Sequence, residues 1–151
     1  MKRRGELPPT WLVGRKTRLR AFETGDVPLL KRCRLAIDKG ARAFVVQTLA
    51  GRDIGVLAVL ISGPHAAVAI GFTDAVRFGD GSAEDALRVI CEGLPRVARV
   101  ERIEALVAAS NGRSVDAHRR AGFQPEGVLR EALAEGKAYR DAVMLSVLVD
   151  G

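Results

Sequence analysis

Residues 79–83, Gly79-Asp80-Gly81-Ser82-Ala83, constrain this chain more than any other passage. They stand between an apolar, strand-like run at 68–73 and an amphipathic stretch at 82–94, so a strand must turn tightly into a helix there. Two alternate glycines, Gly79 and Gly81, permit that turn and leave no side chain guarding it. The first amides of a helix have no intrahelical partner, and the helix dipole puts about half a positive charge at the same spot. Such a turn is suited to hold phosphate, and it serves equally well as an ordinary loop with a tight helix start. What lies downstream decides between the two.

At 151 residues the chain suffices for one domain, burying roughly two-thirds of its unfolded surface without covalent staples. Hydrophobic content of 48% and charged content of 28% belong to a globular protein rather than a disordered one. No apolar run approaches the ~18 residues of a membrane span, and the basic N-terminus lacks the apolar core of a secretory signal. Cys33 and Cys91 fall in predicted helices without metal-ligand spacing, with only His65 and His118 to assist them. They read as small apolar residues in a reducing cytoplasm, and no metal site is expected. The net charge of +6 is uneven: residues 1–42 hold 12 Lys/Arg against 4 Asp/Glu, and the remainder holds 12 against 14. Residues 1–15, with Pro8-Pro9, are expected to form a basic extended leader to a single domain at 16–151. The basic third reads as a solvated face or as a surface steering an acidic partner, a polyanionic cofactor or nucleic acid.

Hydrophobic spacing gives the order of elements. A strand at 17–22 is followed by a helix at 27–38, with Leu29, Leu30, Cys33 and Ile37 on one side and Gly40 as its stop. Strands at 42–49 and 54–62 form a hairpin, and Gly63-Pro64 turns into a third strand at 65–73. The helix at 82–94 buries Ala83, Ala86, Leu87, Ile90 and Leu94, and its end is disturbed by Gly93 and Pro95. A strand at 103–109 leads to Asn111, suited to cap a helix at 112–121 that Gly122 stops. Residues 128–133 and 139–149 form a last hairpin, where a homodimer would form. The order β-α-β-β-β-α-β-α-β-β, without repeats or linkers, predicts one mixed α/β domain with three to four helices.

Several short motifs then follow in sequence. After the glycine segment come the pair Arg102-Ile103 opening a strand, Asn111-Gly112-Arg113-Ser114, Gly122-Phe123-Gln124-Pro125-Glu126-Gly127, and Tyr139-Arg140-Asp141 in the final hairpin. In this order and spacing over residues 68–148, the chain resembles the GNAT superfamily of acyl-CoA-dependent N-acyltransferases, closest to its ribosomal-protein N-acetyltransferase (RimJ/RimL-like) branch. Residues 17–62 fit more loosely, with room for one helix where family members place two that wall the acceptor pocket. The resemblance implies a central, mostly antiparallel mixed sheet with a splayed strand pair, here 65–73 and 103–109.

It also implies a site. Acetyl-CoA, as co-substrate, would set its pyrophosphate on the backbone amides of Gly79, Asp80, Gly81, Ser82, Ala83 and Glu84, with its pantetheine arm between the splayed strands. Backbone amides near Gly71 and Phe72 would face the thioester carbonyl, and Thr73 beside them would also belong to the cofactor site. Asn111 would hydrogen-bond the arm, a role compatible with plain helix capping, and Ser114 would reach the phosphate end or lie in solvent. The family prefers Gln or Arg where Phe78 stands and a basic residue where Asp80 stands. Asp80, Glu84 and Asp85 put three carboxylates near the phosphates, with Arg77 as the compensating cation and Arg88 or Arg113 as alternatives. Many family members carry a Tyr acid four residues before the Gly-Phe pair. The residue there is His118, which could protonate a leaving thiolate or be an ordinary polar residue on the helix. No Glu lies on the 65–73 strand to serve as base, leaving His65, Asp74 or Glu104 acting through water.

Three functions follow. The first is direct transfer of acetyl from acetyl-CoA to a primary amine, of a peptide or protein N-terminus or of a small molecule, in the cytoplasm. The second is a CoA-binding regulatory module with little catalysis, suggested by Phe78, Asp80 and the short acceptor region. A basic nucleic-acid-binding domain ranks last, since aromatic content is 5% and no recognition motif is present.

Overall fold

The computed structural model describes residues 12–149. Seven strands form one sheet in the order β1-β2-β3-β4-β5-β7-β6. They are β1 (Thr17–Ala21), β2 (Arg42–Thr48), β3 (Asp53–Ser62), β4 (His65–Phe72), β5 (Arg102–Ala108), β6 (Gln124–Glu135) and β7 (Ala138–Leu148). Neighbours are antiparallel except β4 and β5, which α2 (Ser82–Val97) joins as a crossover. The other helices are α1 (Val27–Arg32) and α3 (Gly112–Arg120), and short 3-10 turns occupy Thr24–Asp26 and Ala75–Phe78. The expected mixed, mostly antiparallel sheet is present.

Two cores cover the central strands, which is why β2 and β3 carry nearly unbroken apolar runs. Val46, Leu57, Val68 and Phe72 face α2 across the main core. Val45 and Val56 face the other way, under Leu29 and Cys33. The predicted face of α2 is buried, and burial of a side chain such as Leu87 or Ile90 stabilises by about 1.5–3 kcal/mol. The helix continues through Pro95 to Val97, past the disturbance expected at Gly93. A proline in the last turn removes only one hydrogen bond, and the amide of Ala98 still closes on the Leu94 carbonyl at 2.9 Å.

Three boundaries depart from the sequence reading. The helix expected over 27–38 stops at Arg32; the Cys33 amide closes it on the Leu29 carbonyl at 3.0 Å, and Arg34 turns left-handed at φ 53°. Residues 33–41 instead run irregularly over the sheet, with Cys33, Leu35 and Ile37 packed on the second core. Strand β6 begins at Gln124 rather than at the expected 128, running through Pro125 and Gly127, because an edge strand needs no outward amide and absorbs a register shift there. Of the expected leader, residues 1–11 lie outside the described residues. Leu12 is already buried in the main core, and the backbone of residues 14–17 is clasped by Asp85.

That clasp joins β1 to the start of α2. The Asp85 carboxylate accepts from the amides of Arg15 (3.1 Å), Lys16 (3.0 Å) and Thr17 (2.9 Å) and from the Thr17 hydroxyl (2.7 Å). Burial pushes its carboxyl up, but these four donors outweigh it and hold it below the usual carboxylate range. Gly14 is required by the close approach, since a Cβ there would stand 2.3 Å from Asp85 Oδ2.

Candidate functional site

Strands β4 and β5 pair over only three residues, His65 with Arg102, Ala66 with Ile103 and Ala67 with Glu104. Beyond these β4 runs on to Phe72 paired with β3, and β5 to Ala108 paired with β7, so a wedge opens between them. The Thr73 amide donates to the Ile54 carbonyl at 3.0 Å, which fixes the alternation of the β3–β4 ladder. The amides of Gly71 and Thr73 lie on the β3 side, and those of Ile70 and Phe72 point into the wedge. Of the two amides expected near an acyl carbonyl, that of Phe72 points into the wedge and that of Gly71 does not; the Thr73 amide is spent on Ile54. Gly71 is a glycine for another reason: a Cβ there would stand 2.8 Å from the Cys33 carbonyl oxygen. Cys33 and Leu35 settle against Gly71, so the segment after α1 covers that face of β4.

Beyond β4 the chain enters the 3-10 turn, capped by Asp74, whose carboxylate accepts the Val76 amide at 3.0 Å. The turn takes up two of the expected phosphate donors: the amides of Gly79 and Asp80 both bond the Val76 carbonyl, at 2.9 and 3.1 Å. The Ser82 amide donates to Asp80 Oδ1 at 2.9 Å. The amides of Gly81, Ala83 and Glu84 have no acceptor among the described residues. Of the six amides expected in the cradle, these three remain free for an anion. Gly81 holds the helix mouth at φ 90°, a conformation that favours glycine. Gly79, at φ −110°, has no such need.

Asp80 and Arg77 form an ion pair at 3.1 Å. Burial pushes the Asp80 carboxyl up, while Ser82 and the Arg77 guanidinium outweigh that effect and hold it below the usual range. Glu84 pairs with Arg88 at 2.6 Å, and Asp85 is turned to the clasp, so neither adds the free negative charge expected from the sequence. Arg77 and Arg88 are correspondingly engaged. A cleft of about 420 Å³ adjoins the mouth, lined by Val76, Phe78, Gly79, Asp80, Arg113, Asp116 and Arg120. Arg113 and Arg120 have no ion-pair partner among the described residues. Lys16 reaches the mouth from β1, its ammonium 2.7 Å from the Asp80 carbonyl oxygen. The sequence reading missed Lys16 and Arg120. Phe78 is a packing residue, its ring edge-on to Phe72 at 5.1 Å.

On α3, Asn111 caps the helix by accepting the Ser114 amide at 3.2 Å, while Ser114 itself is buried rather than in solvent. His118 is 1% exposed and edge-on to Phe123 at 5.4 Å. Its Nδ1 lies 2.7 Å from the Ser114 carbonyl oxygen, which can only accept, so Nδ1 carries the proton. Burial lowers its pKa against the opposing effect of that hydrogen bond, leaving a neutral ring with an unpartnered Nε2 lone pair. This corrects the expected acid: a neutral ring with its only proton on Nδ1 has none at Nε2 to give. Among the base candidates, Asp74 is spent as a cap, Glu104 pairs with Arg102 at 3.3 Å, and His65 is exposed at the start of β4.

No protein-family model matches the sequence, and no curated protein does. Solved structures match the fold. A GNAT-family acetyltransferase from Bacillus anthracis has a TM-score of 0.75 at 15% identity, covering 91% of this chain and 97% of its own. The spermidine/spermine N-acetyltransferase SpeG from Vibrio cholerae has a TM-score of 0.73 at 20% identity, covering 88% of this chain and 92% of its own. The architecture is that of the GNAT acetyltransferases.

Proposed function

We propose that this chain is an acetyl-CoA-dependent N-acetyltransferase passing the acetyl group directly to a primary amine. The acceptor would be a peptide or protein N-terminus or a small molecule; the RimJ/RimL-like assignment rests on motif order alone. One observation carries the reading: the wedge between β4 and β5, with the Phe72 amide turned into it, opens beside a helix mouth that keeps three free amides. The residues present suit a diphosphate, with Gly81 bare of a side chain and Lys16, Arg113 and Arg120 nearby. Asp80 is the one ill-suited group, since its carboxylate holds an amide that phosphate would otherwise take.

Acetyl-CoA would supply the acetyl group as an activated thioester. The amides of Gly81, Ala83 and Glu84 would hold the phosphate end, and the helix dipole would reinforce them. The Phe72 amide, fixed by the β3 ladder, would donate to the carbonyl oxygen as negative charge grows on it. Burial of the surrounding Ile70 and Phe72 side chains in the main core would keep that amide rigid. No donor residue is consumed: the proton shed by the attacking amine equals the one taken up by the leaving thiolate.

Asp80 on the Ser82 amide favours the second reading, a CoA-binding module with little turnover. Calorimetry with acetyl-CoA and desulfo-CoA, followed by a thiol-release assay over a panel of amines, separates the two. Binding with turnover supports the enzyme, and binding without it supports the module. Absence of any CoA binding would sink both.

A further inference from the structure

Resting on the acetyltransferase reading, we infer that the acceptor is an acidic amine, one bearing carboxylate groups near the nitrogen that is acetylated. The wedge has one built wall besides its strands, the segment that follows α1. Cys33 and Leu35 lie against Gly71, with Cβ-to-atom distances of 2.8 Å to the Cys33 carbonyl oxygen and 3.5 Å to Leu35 Cβ. Gly71 is one residue from the Phe72 amide that points into the wedge, so whatever approaches that amide from this face passes residues 33–35.

The charge on this segment is mostly positive. Residues 31–42 hold Lys31, Arg32, Arg34, Lys39 and Arg42 against Asp38. All six are exposed, and none forms an ion pair among the described residues. Some arginines elsewhere are taken, Arg20 by Asp26 and Asp53, Arg77 by Asp80, Arg88 by Glu84 and Arg102 by Glu104 and Glu126, while Arg113 and Arg120 at the helix mouth are, like the cations of this segment, without an ion-pair partner among the described residues. Unpaired cations on the segment that borders Gly71 raise the local concentration of anions and repel cations. Arg34 stands between Cys33 and Leu35, the two residues that lie against Gly71. Among the described residues it is one of two non-glycine residues at positive φ, held at 53° between two residues that pack on the second core. Non-glycine residues rarely adopt that conformation unless the surroundings impose it, and here the Arg34 side chain is exposed while its two neighbours pack on the sheet. Guanidinium binds carboxylate through two parallel hydrogen bonds. The same wall would repel a polyamine, the acceptor named for the Vibrio cholerae neighbour.

The test is a thiol-release assay on the full chain at saturating acetyl-CoA. The acceptors are a free-N-terminus tetrapeptide of aspartate and glutamate, its asparagine and glutamine counterpart, free glutamate, and spermidine. The acidic peptide is expected to exceed its neutral counterpart about tenfold in kcat/KM, chiefly through KM, with the advantage shrinking as salt rises. Free glutamate, with two carboxylates on one amino acid, tells whether the preference needs a peptide. Arg34→Glu should abolish the advantage, and Arg34→Asn, which tolerates positive φ, should reduce it while leaving acetyl-CoA affinity unchanged by calorimetry. Spermidine or the neutral peptide matching the acidic one overturns the inference, as does an unchanged preference in both variants. If acetyl-CoA binds but the acidic peptide is neither acetylated nor bound to the CoA-loaded protein, the acidic acceptor is wrong and the cofactor reading stands. Failure of acetyl-CoA itself to bind removes the reading beneath both.

Discussion

Replacing Asp85 with alanine tests how the site is held together. The carboxylate receives four hydrogen bonds from residues 15–17, two of them from Thr17, which is 0% exposed. Removing the acceptor strands the Thr17 amide and hydroxyl, each at a cost of about 1–3 kcal/mol, while the Arg15 and Lys16 amides can turn to water. The sum is about 2–6 kcal/mol, which at roughly 2–4 °C per kcal/mol for a domain of this size lowers Tm by about 10 °C. Asp85→Asn keeps the shape but turns donors toward donors, and should lose about half as much. The sign with pH follows from the depressed carboxyl. The contribution is complete above the unfolded value of about 3.9 and disappears as pH falls through the lower folded value. Differential scanning calorimetry of wild type and Asp85→Ala between pH 7 and 3.5 should therefore show a wide gap that narrows only below about pH 4. A gap under about 1 kcal/mol at pH 7, or one independent of pH, would refute the clasp as described.

Other outcomes can be checked more briefly. Gly81→Ala forces φ 90° on a residue with a Cβ, which costs about 1–2 kcal/mol, and crowds the Lys16 ammonium at 3.0 Å. Gly79→Ala, with its nearest neighbour 3.7 Å away, should be neutral or slightly stabilising; equal CoA affinities for the two variants would remove Gly81 from the cradle. His118 should titrate below the ordinary 6.5 and carry its proton on Nδ1 when neutral, as read by nitrogen NMR, and titration above 6.5 would show that burial does not govern it. His118→Ala leaves a hole beside Phe123 and should lose about 2–4 kcal/mol in chemical denaturation. Desolvation raises the Cys33 thiol, and desolvation with Glu92 pushes Cys91 up to about 12. Neither should react quickly with a disulfide reagent at pH 7.5, and both should after unfolding.

Much of the fold was legible because its signals were local. The spacing of Ala83, Ala86, Leu87, Ile90 and Leu94 admits only a helix, and Gly81 before it admits only a tight entry. The segment after α1 misled because Leu29, Leu30, Cys33 and Ile37 also fit a helical face. The competing alternation of Cys33, Leu35 and Ile37 prevailed once a sheet lay beneath to receive it. In the site, the glycine turn was visible but its internal bonds were not. That Gly79 and Asp80 would spend their amides on Val76, and Asp80 its carboxylate on Ser82, depends on turn geometry that residue names do not encode. Asp85 read as one more acid in a first helical turn, yet its partners stand about 70 positions earlier. Lys16 was hidden by the same distance.

Strand β6 ends the sheet as its outermost ribbon, twelve residues long and almost wholly exposed. Such a ribbon would ordinarily invite another chain to continue the hydrogen-bond ladder. Here the invitation is withdrawn twice: Pro125 has no hydrogen to offer, and the interruption between Leu129 and Leu133, where Glu131 turns to φ 50°, breaks the row again. Any second copy meeting this flank would have to grip Val128, Leu129 and Tyr139 by their side chains, giving a seam that detergent loosens and that backbone-pairing fibrils cannot exploit.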